Sequence, residues 1–167
     1  LAVARAAGAG EIFMTEPQAR RREFALDYVA DAVYNPDEEN VVAAIMGATD
    51  GRGVDVAFEA AGAQETPDQA GRITRPGGKV VMVGIPSEDR MLMTASVVRR
   101  KGLTIKMVRR MKHTYPRAIR MVDRGMVDVE ALATHTFSLE EIREAFELVA
   151  GYQDGVLRAM IRVGEPV

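Results

Sequence analysis

The chain has 167 residues, 47% hydrophobic and 28% charged, which is enough for one buried core, or one domain with a small appendage. A net charge of -2 draws it neither to nucleic acid nor to an anionic membrane surface, and no apolar run approaches the roughly 18 residues of a membrane span. Without cysteine it has no disulfide and no thiolate metal site, a composition that fits a cytoplasmic protein, and we expect Leu1 to be the cut end of a longer one.

Residues 1–7 are rich in helix formers and stop at Gly8 and Gly10. Residues 11–16 form a short apolar run closed by an acid and Pro17, predicting a strand and then a helix to about Val29, with Phe24 and Tyr28 on one face. Ala32–Tyr34 reads as a second short strand. Asn35, Pro36 and Glu38 together predict a capped helix start, and Val41, Val42 and Ile45 its apolar stripe. Residues 50–53 form a glycine-containing turn into a strand at 54–59, followed by a polar helix to about Thr74. Pro76-Gly77-Gly78 turns the chain into a strand at 79–84, and Gly102 to Val108 predicts another. Strands that alternate with helices at this spacing argue for parallel pairing, and strands this apolar argue for a sheet covered on both faces.

After about His113 the texture changes. A helix is expected from Thr114 to Gly125, and another after Ser138, with Glu141 three residues on and Ile142, Ala145, Phe146 and Val149 as its buried stripe. Residues 157–163 predict a final strand. The expected division is therefore 1–113 and 114–167.

Glu16 ends the first strand. In a dinucleotide fold an acid at such a place accepts hydrogen bonds from the adenosine ribose hydroxyls and repels a 2′-phosphate, favouring NAD over NADP. Arg21 follows at a distance that lets it lie along an adenine. The plainer alternative is a solvated acid ahead of the surface run Arg20-Arg21-Arg22. The small strand ends Ala60-Ala61-Gly62 and Val83-Gly84-Ile85 either let a cofactor approach the backbone or simply turn the chain. Arg109, Arg110 and Arg158 have the always-charged, forked chemistry that suits a pyrophosphate, although most arginines are only solvated. His113 and His135 lack partners at metal-ligand spacing and read as structural or surface residues. The methionines read as core filler, and Arg99-Arg100-Lys101 as a solvated turn. No G-x-G-x-x-G follows a strand, and neither a catalytic nucleophile–base pair nor a metal cluster stands out.

The segments Ala6-Ala7-Gly8-Ala9, Thr15-Glu16-Pro17, Asp50 to Gly62, Pro76 to Gly84 and Thr134 to Leu139 together resemble the C-terminal portion of zinc-type medium-chain dehydrogenases, in the sorbitol and related polyol/alcohol branch. The resemblance implies an α/β, Rossmann-like, doubly wound parallel sheet. It would be incomplete, lacking the first strand and the Gly-rich loop, and would carry a C-terminal helical and strand appendage. It also implies NAD as cofactor, with zinc bound by residues outside this chain and a small alcohol or polyol as substrate. By position, Glu16 matches the ribose-binding acid and Arg21 the basic residue at the adenosine end. Ala60 and Ala61 match the adenine–ribose side, and Val83, Gly84 and Ile85 the segment beneath the nicotinamide. Val108, Arg109 and Arg110 match the segment that reaches the nicotinamide amide, and Arg158 a pyrophosphate arginine. Polyol dehydrogenases commonly carry Tyr where this chain has Met111, so no particular sugar alcohol is singled out.

In that family the absent strand is central, between the strands at 11–16 and 54–59. Losing it would leave two rows of backbone groups unpaired, so the gap should close by direct pairing of those strands or be filled by another chain, unless the chain is part of a larger molecule. Arg90 to Thr94 resembles the family's edge strand and implies a homodimer joined near Met91–Thr94. Two rival readings are a zinc-free quinone or enoyl reductase of the same superfamily, which the acid at Glu16 disfavours, and a non-catalytic folding or dimerisation unit.

Overall fold

The structure, a computed structural model, describes residues 1–111 and 113–164, so Lys112 and residues 165–167 of the two expected spans lie outside it. It divides into two compact units, Tyr34–His113 and a second made of Leu1–Val33 with Thr114–Val167. The first 33 residues thus group with the C-terminal stretch, whereas the sequence texture places them with 34–113. Side chains of the second helix explain this grouping: the Tyr28 hydroxyl donates to the Asp128 carbonyl, and the Arg21 guanidinium lies 4.9 Å from the centre of the Tyr152 ring.

The chain opens with α1 (Ala2–Ala6), which stops before Gly8 at a left-handed φ of 93°. β1 (Phe13–Thr15) and β2 (Ala32–Tyr34) form a two-stranded sheet, with α2 (Ala19–Tyr28) between them in sequence. Phe24 and Tyr28 stack on α2 as the spacing predicts, their centroids 5.1 Å apart.

α3 (Val41–Ala48) starts later than its sequence signature. Asn40 is its cap, with Oδ1 accepting from the Ala43 N–H at 3.1 Å. Asn35 instead closes a tight turn, accepting from the Asp37 N–H at 3.1 Å, while Glu39 accepts from the Asn35 N–H at 3.1 Å. Such a local side-chain turn competes with a helix for the same donors.

β3 (Val54–Glu59), α4 (Thr66–Ile73), β4 (Thr74–Met82), α5 (Ala95–Lys101) and β5 (Thr104–Met107) follow, and the three strands pair in parallel in the order β3-β4-β5. Val54 stands opposite Thr74 but Val56 opposite Lys79, so residues 75–78 bulge out against Asp55. Pro76-Gly77-Gly78, expected as a turn before the strand, lies in that bulge. A side chain at Gly78 would meet Thr74 Cγ2 at 2.5 Å. The expected solvated turn 99–101 is the last turn of α5, closed by Gly102 at a left-handed φ of 59°.

Ala57, Val80 and Met82 of the sheet and Ala70 of α4 form the core, flanked by Val54, Ile73, Met91, Met93 and Leu103. Burying Val80 completely contributes about 1.5–3 kcal/mol. Only one face of the sheet is covered, contrary to expectation: Ala57, Glu59, Val80 and Met82 point into the helix-backed side, whereas Phe58 is 61% exposed and Val56 40%. Among the described residues β3 pairs with β4 alone in its sheet, so the expected closure by direct pairing is not found and β3 is itself an edge. Residues 90–94 form no strand. They lie outside any regular element, with Met91 and Met93 against the core, Leu92 exposed, and the Thr94 N–H held by Asp68 Oδ1 at 2.6 Å.

In the other unit, α6 (Tyr115–Asp123), β6 (Ala133–Ser138), α7 (Ile142–Ala150) and β7 (Arg158–Arg162) complete the chain, with β6 and β7 parallel. The expected Ser138 capping signal is met in part: the Ser138 N–H donates to Glu141 Oε2 at 2.7 Å, but α7 begins after Glu141. Of its predicted stripe only Ala145 is buried, with Ile142, Phe146 and Val149 exposed. Among the described residues no helix is long and apolar enough to cross a membrane.

Candidate cofactor site

Because β3, β4 and β5 run parallel, their carboxyl ends share one rim. Ala60-Ala61, Val83-Gly84-Ile85 and Val108-Arg109-Arg110 each follow directly on one of these strands, so the sequence candidates of this unit come together there. The rim is tied by backbone bonds. The Glu59 carbonyl accepts from the N–H groups of Val83 and Gly84 at 2.7 and 2.9 Å, and the Met82 carbonyl from that of Val108 at 2.9 Å.

Two glycines set how closely the first two segments approach. Gly62 has a φ of 71°, and a side chain there would meet the Ile85 carbonyl oxygen at 2.4 Å. One at Gly84 would meet Glu59 Oε2 at 2.4 Å and the Gly62 nitrogen at 2.5 Å. The surface left above them is open: Ala60 and Ala61 are exposed, Val83 is 45% exposed and Ile85 80%. The result is an open cradle of backbone and small side chains, shaped so that a flat group could approach the backbone closely.

Arg109 and Arg110 extend the rim with two exposed cations, and with Met111 and His113 they line a shallow depression. Met111 and His113 both have left-handed φ, 63° and 52°.

The remaining candidates belong to the other unit. Glu16 is half-buried just after β1, and its Oε1 accepts from the Gln18 N–H at 3.0 Å, so the carboxylate serves the start of α2. Arg21 is stacked on Tyr152 and is therefore partly committed. Arg158 starts β7 opposite Ala133, with an exposed side chain.

The sequence reading missed Glu59 and Lys101. Glu59 is 3% exposed, and its Oε1 accepts from the Ala61 N–H at 3.0 Å, the Gly62 N–H at 2.7 Å and the Thr66 hydroxyl at 2.8 Å. The alternation of Val54 to Glu59 carried the signal, since it places Glu59 on the same face as the buried Ala57. Lys101 donates to the carbonyls of Gly71, Arg72 and Thr74, and burial lowers its pKa, aided by Arg72.

His135 contacts Thr134 Oγ1 at 2.9 Å and Asp154 at 3.2 Å. Among the described residues no group of three or more His, Asp or Glu side chains could hold a metal ion, so these residues do not fit zinc.

A family model described as zinc-binding dehydrogenase matches residues 1–124. The chain is 32% identical over 161 residues to the sorbitol dehydrogenase of Bacillus subtilis (strain 168), covering 96% of this chain and 46% of that protein. The solved 2R,3R-butanediol dehydrogenase of Bacillus subtilis superposes with a TM-score of 0.86 at 26% identity, over 98% of this chain and 46% of that one. A protein of Sinorhizobium meliloti 1021, solved as a zinc-binding dehydrogenase with NADP bound, gives 0.80 at 28% identity, over 86% of this chain and 43% of that one. The chain thus spans a little under half the length of these relatives. The parallel α/β architecture is that of their Rossmann-like portion. The family resemblance of the sequence segments holds, and the chain belongs to the zinc-binding dehydrogenase family.

Proposed function

We propose that this chain is the cofactor-binding portion of a cytoplasmic, NAD-linked and zinc-dependent alcohol or polyol dehydrogenase. Zinc and most of the substrate pocket belong to residues outside the chain. The observation that carries this reading is the shared rim, on which Ala60-Ala61, Val83-Gly84-Ile85 and Val108-Arg109-Arg110 follow three parallel strands. Bound NAD supplies the acceptor for a hydride from a secondary alcohol carbon. The chain's own residues only bind and orient. Glu16 accepts from the adenosine ribose hydroxyls and repels a 2′-phosphate, and Arg21 flanks the adenine. The rim backbone supports and hydrogen-bonds the nicotinamide end, and Arg109, Arg110 and Arg158 offer charge to the pyrophosphate. The protein is a homodimer in this reading, joined near Met91–Thr94. The in–out alternation of Met91, Leu92 and Met93 supports it, since an edge strand awaiting its ladder has this pattern.

Two other readings each have an observation in their favour. The relative with NADP bound favours NADP. The unpaired edge of β3 favours a non-catalytic unit that associates without binding nucleotide.

Titration of the chain with NADH and NADPH, followed by amide chemical shifts, separates the three. The expected result is weak, saturable NADH shifts at residues 60–62, 83–85 and 108–110, smaller shifts with NADPH, and no dehydrogenase activity even with added zinc. A preference for NADPH overturns the NAD reading, and no shift with either nucleotide establishes the non-catalytic one.

A further inference from the structure

Glu59 is a carboxylate in the core of its unit, 3% exposed, at the last position of β3. An ionisable side chain in such a place is costly unless it is bonded. One of its oxygens is heavily used: Oε1 accepts from the Ala61 and Gly62 N–H groups and from the Thr66 hydroxyl. The other, Oε2, is buried without a hydrogen-bond partner and lies over the Cα of Gly84, where a side chain would approach it to 2.4 Å. A carboxylate placed only to stabilise the core would bond both oxygens, or would be replaced by an apolar side chain of the same size. This one spends Oε1 on holding the turn after β3 and packs Oε2 against the turn after β4. Its backbone carbonyl meanwhile takes the Val83 and Gly84 N–H groups. One residue therefore sets the positions of both strand ends.

We propose that Glu59 is a positioning residue for the nucleotide: it clamps Ala60-Ala61-Gly62 to Val83-Gly84-Ile85 so that both backbones present a single floor to the cofactor. This rests on the cofactor reading above. Glu59 does not touch the nucleotide, because its polar atoms are buried beneath the two turns. It acts through the geometry of the amides it holds. Its acceptor oxygen matters and its charge does not, so Gln, which keeps one carbonyl oxygen in the same place, should substitute for it.

The test uses the full chain as wild type, Glu59→Gln, Glu59→Ala and Glu59→Asp. Amide hydrogen exchange is measured at Ala61 and Gly62, and NADH affinity from the rim amide shifts. Glu59→Ala should speed exchange at both amides at least tenfold and weaken NADH at least tenfold. Glu59→Gln should keep both within about threefold of wild type. If Glu59→Ala does not fold, Glu59→Asp, which withdraws Oε1 by one methylene, carries the comparison with the same expected direction. Unchanged exchange in the Ala or Asp variant overturns the clamp. Faster exchange with unchanged NADH affinity overturns its role toward the nucleotide, and failure of Glu59→Gln to preserve both overturns the claim that the acceptor oxygen suffices. Absence of NADH shifts in the wild type is a separate result: it removes the cofactor reading and with it the nucleotide role, while the exchange comparison still decides the clamp.

Discussion

The Arg5 guanidinium meets the Asp31 carboxylate with Nη2 2.5 Å from Oδ2, and so fastens the first helix to the loop before β2. Arg5 also donates to the carbonyls of Ala9, Gly10 and Val29, and Asp31 also accepts from the Ile12 N–H at 2.7 Å. The bonds need a planar fork, which an ammonium cannot imitate. Arg5→Ala and Arg5→Lys should therefore both lower the melting temperature by a few degrees. Both should loosen residues 1–10 in hydrogen exchange; equal stability of Arg5→Lys and wild type would contradict this.

The same pair contributes to pH dependence. Hydrogen bonds from the Ile12 N–H and from Arg5 hold the Asp31 pKa below its ordinary value of 3.8. Arg52 first, and then Arg75, hold that of Asp55 at about 2. Carboxyls whose folded pKa is depressed stabilise the fold above the unfolded pKa and lose that contribution as pH falls through the folded one. The melting temperature should fall between about pH 4 and pH 2. Asp55→Asn should flatten part of that fall, a result read by thermal unfolding across a pH series.

The two asparagines before α3 make a paired prediction. Asn40→Ala should cost about 0.5–2 kcal/mol, the ordinary value of a helix cap. Asn35→Ala should leave the helix intact and loosen the turn at 35–39 instead. Helix fraying at Val41–Ala44, read from amide exchange, distinguishes them, and the reverse pattern would restore Asn35 as the cap.

Gly84→Ala places a methyl 2.4 Å from Glu59 Oε2 and 2.5 Å from the Gly62 nitrogen. Neither neighbour is the free end of a flexible chain, so the turn after β4 must move. Denaturant unfolding should show a loss of about 1–3 kcal/mol. Gly10→Ala, where a side chain would meet nothing within 4 Å, should show far less.

Glu16→Ala should weaken NADH and narrow the difference between NADH and NADPH, because it removes both the ribose acceptor and the repulsion of a 2′-phosphate. A small fall in stability accompanies it through the lost bond to the Gln18 N–H. Discrimination between the two nucleotides that is the same in the variant and the wild type would remove Glu16 from the site.

The elements legible in the sequence were those with local signatures. Val54–Glu59 and Ala32–Tyr34 form strands at the residues expected, and α2 and α6 fall within the segments predicted for them. What was not legible depends on partners distant in sequence. A capping signature at Asn35 looks the same whether its side chain starts a helix or closes a turn. The apolar pattern of β3 looks the same whether Phe58 is covered or exposed. The role of Glu59 is silent in the sequence for a similar reason: it comes from Gly62, Thr66 and Gly84, which only folding brings to the carboxylate. Lys101 looked like part of a solvated run because its acceptors, at residues 71–74, lie on another element.

The bulge at 75–78 makes the β3–β4 ladder tolerant of length at one end only. Pairing resumes at Val56 and Lys79 whatever path the chain takes between, and Arg75 pins the loop by its 2.6 Å contact with Asp55. A residue gained or lost around Gly77 would change the size of this slack and leave Val80 and Met82 in phase with Ala57 and Glu59. The same change after Val80 would slide Gly84 past Gly62, reverse which side chains face inward, and take the rim apart. Sequence length is therefore free to drift at the amino end of β4 and is locked at its carboxyl end.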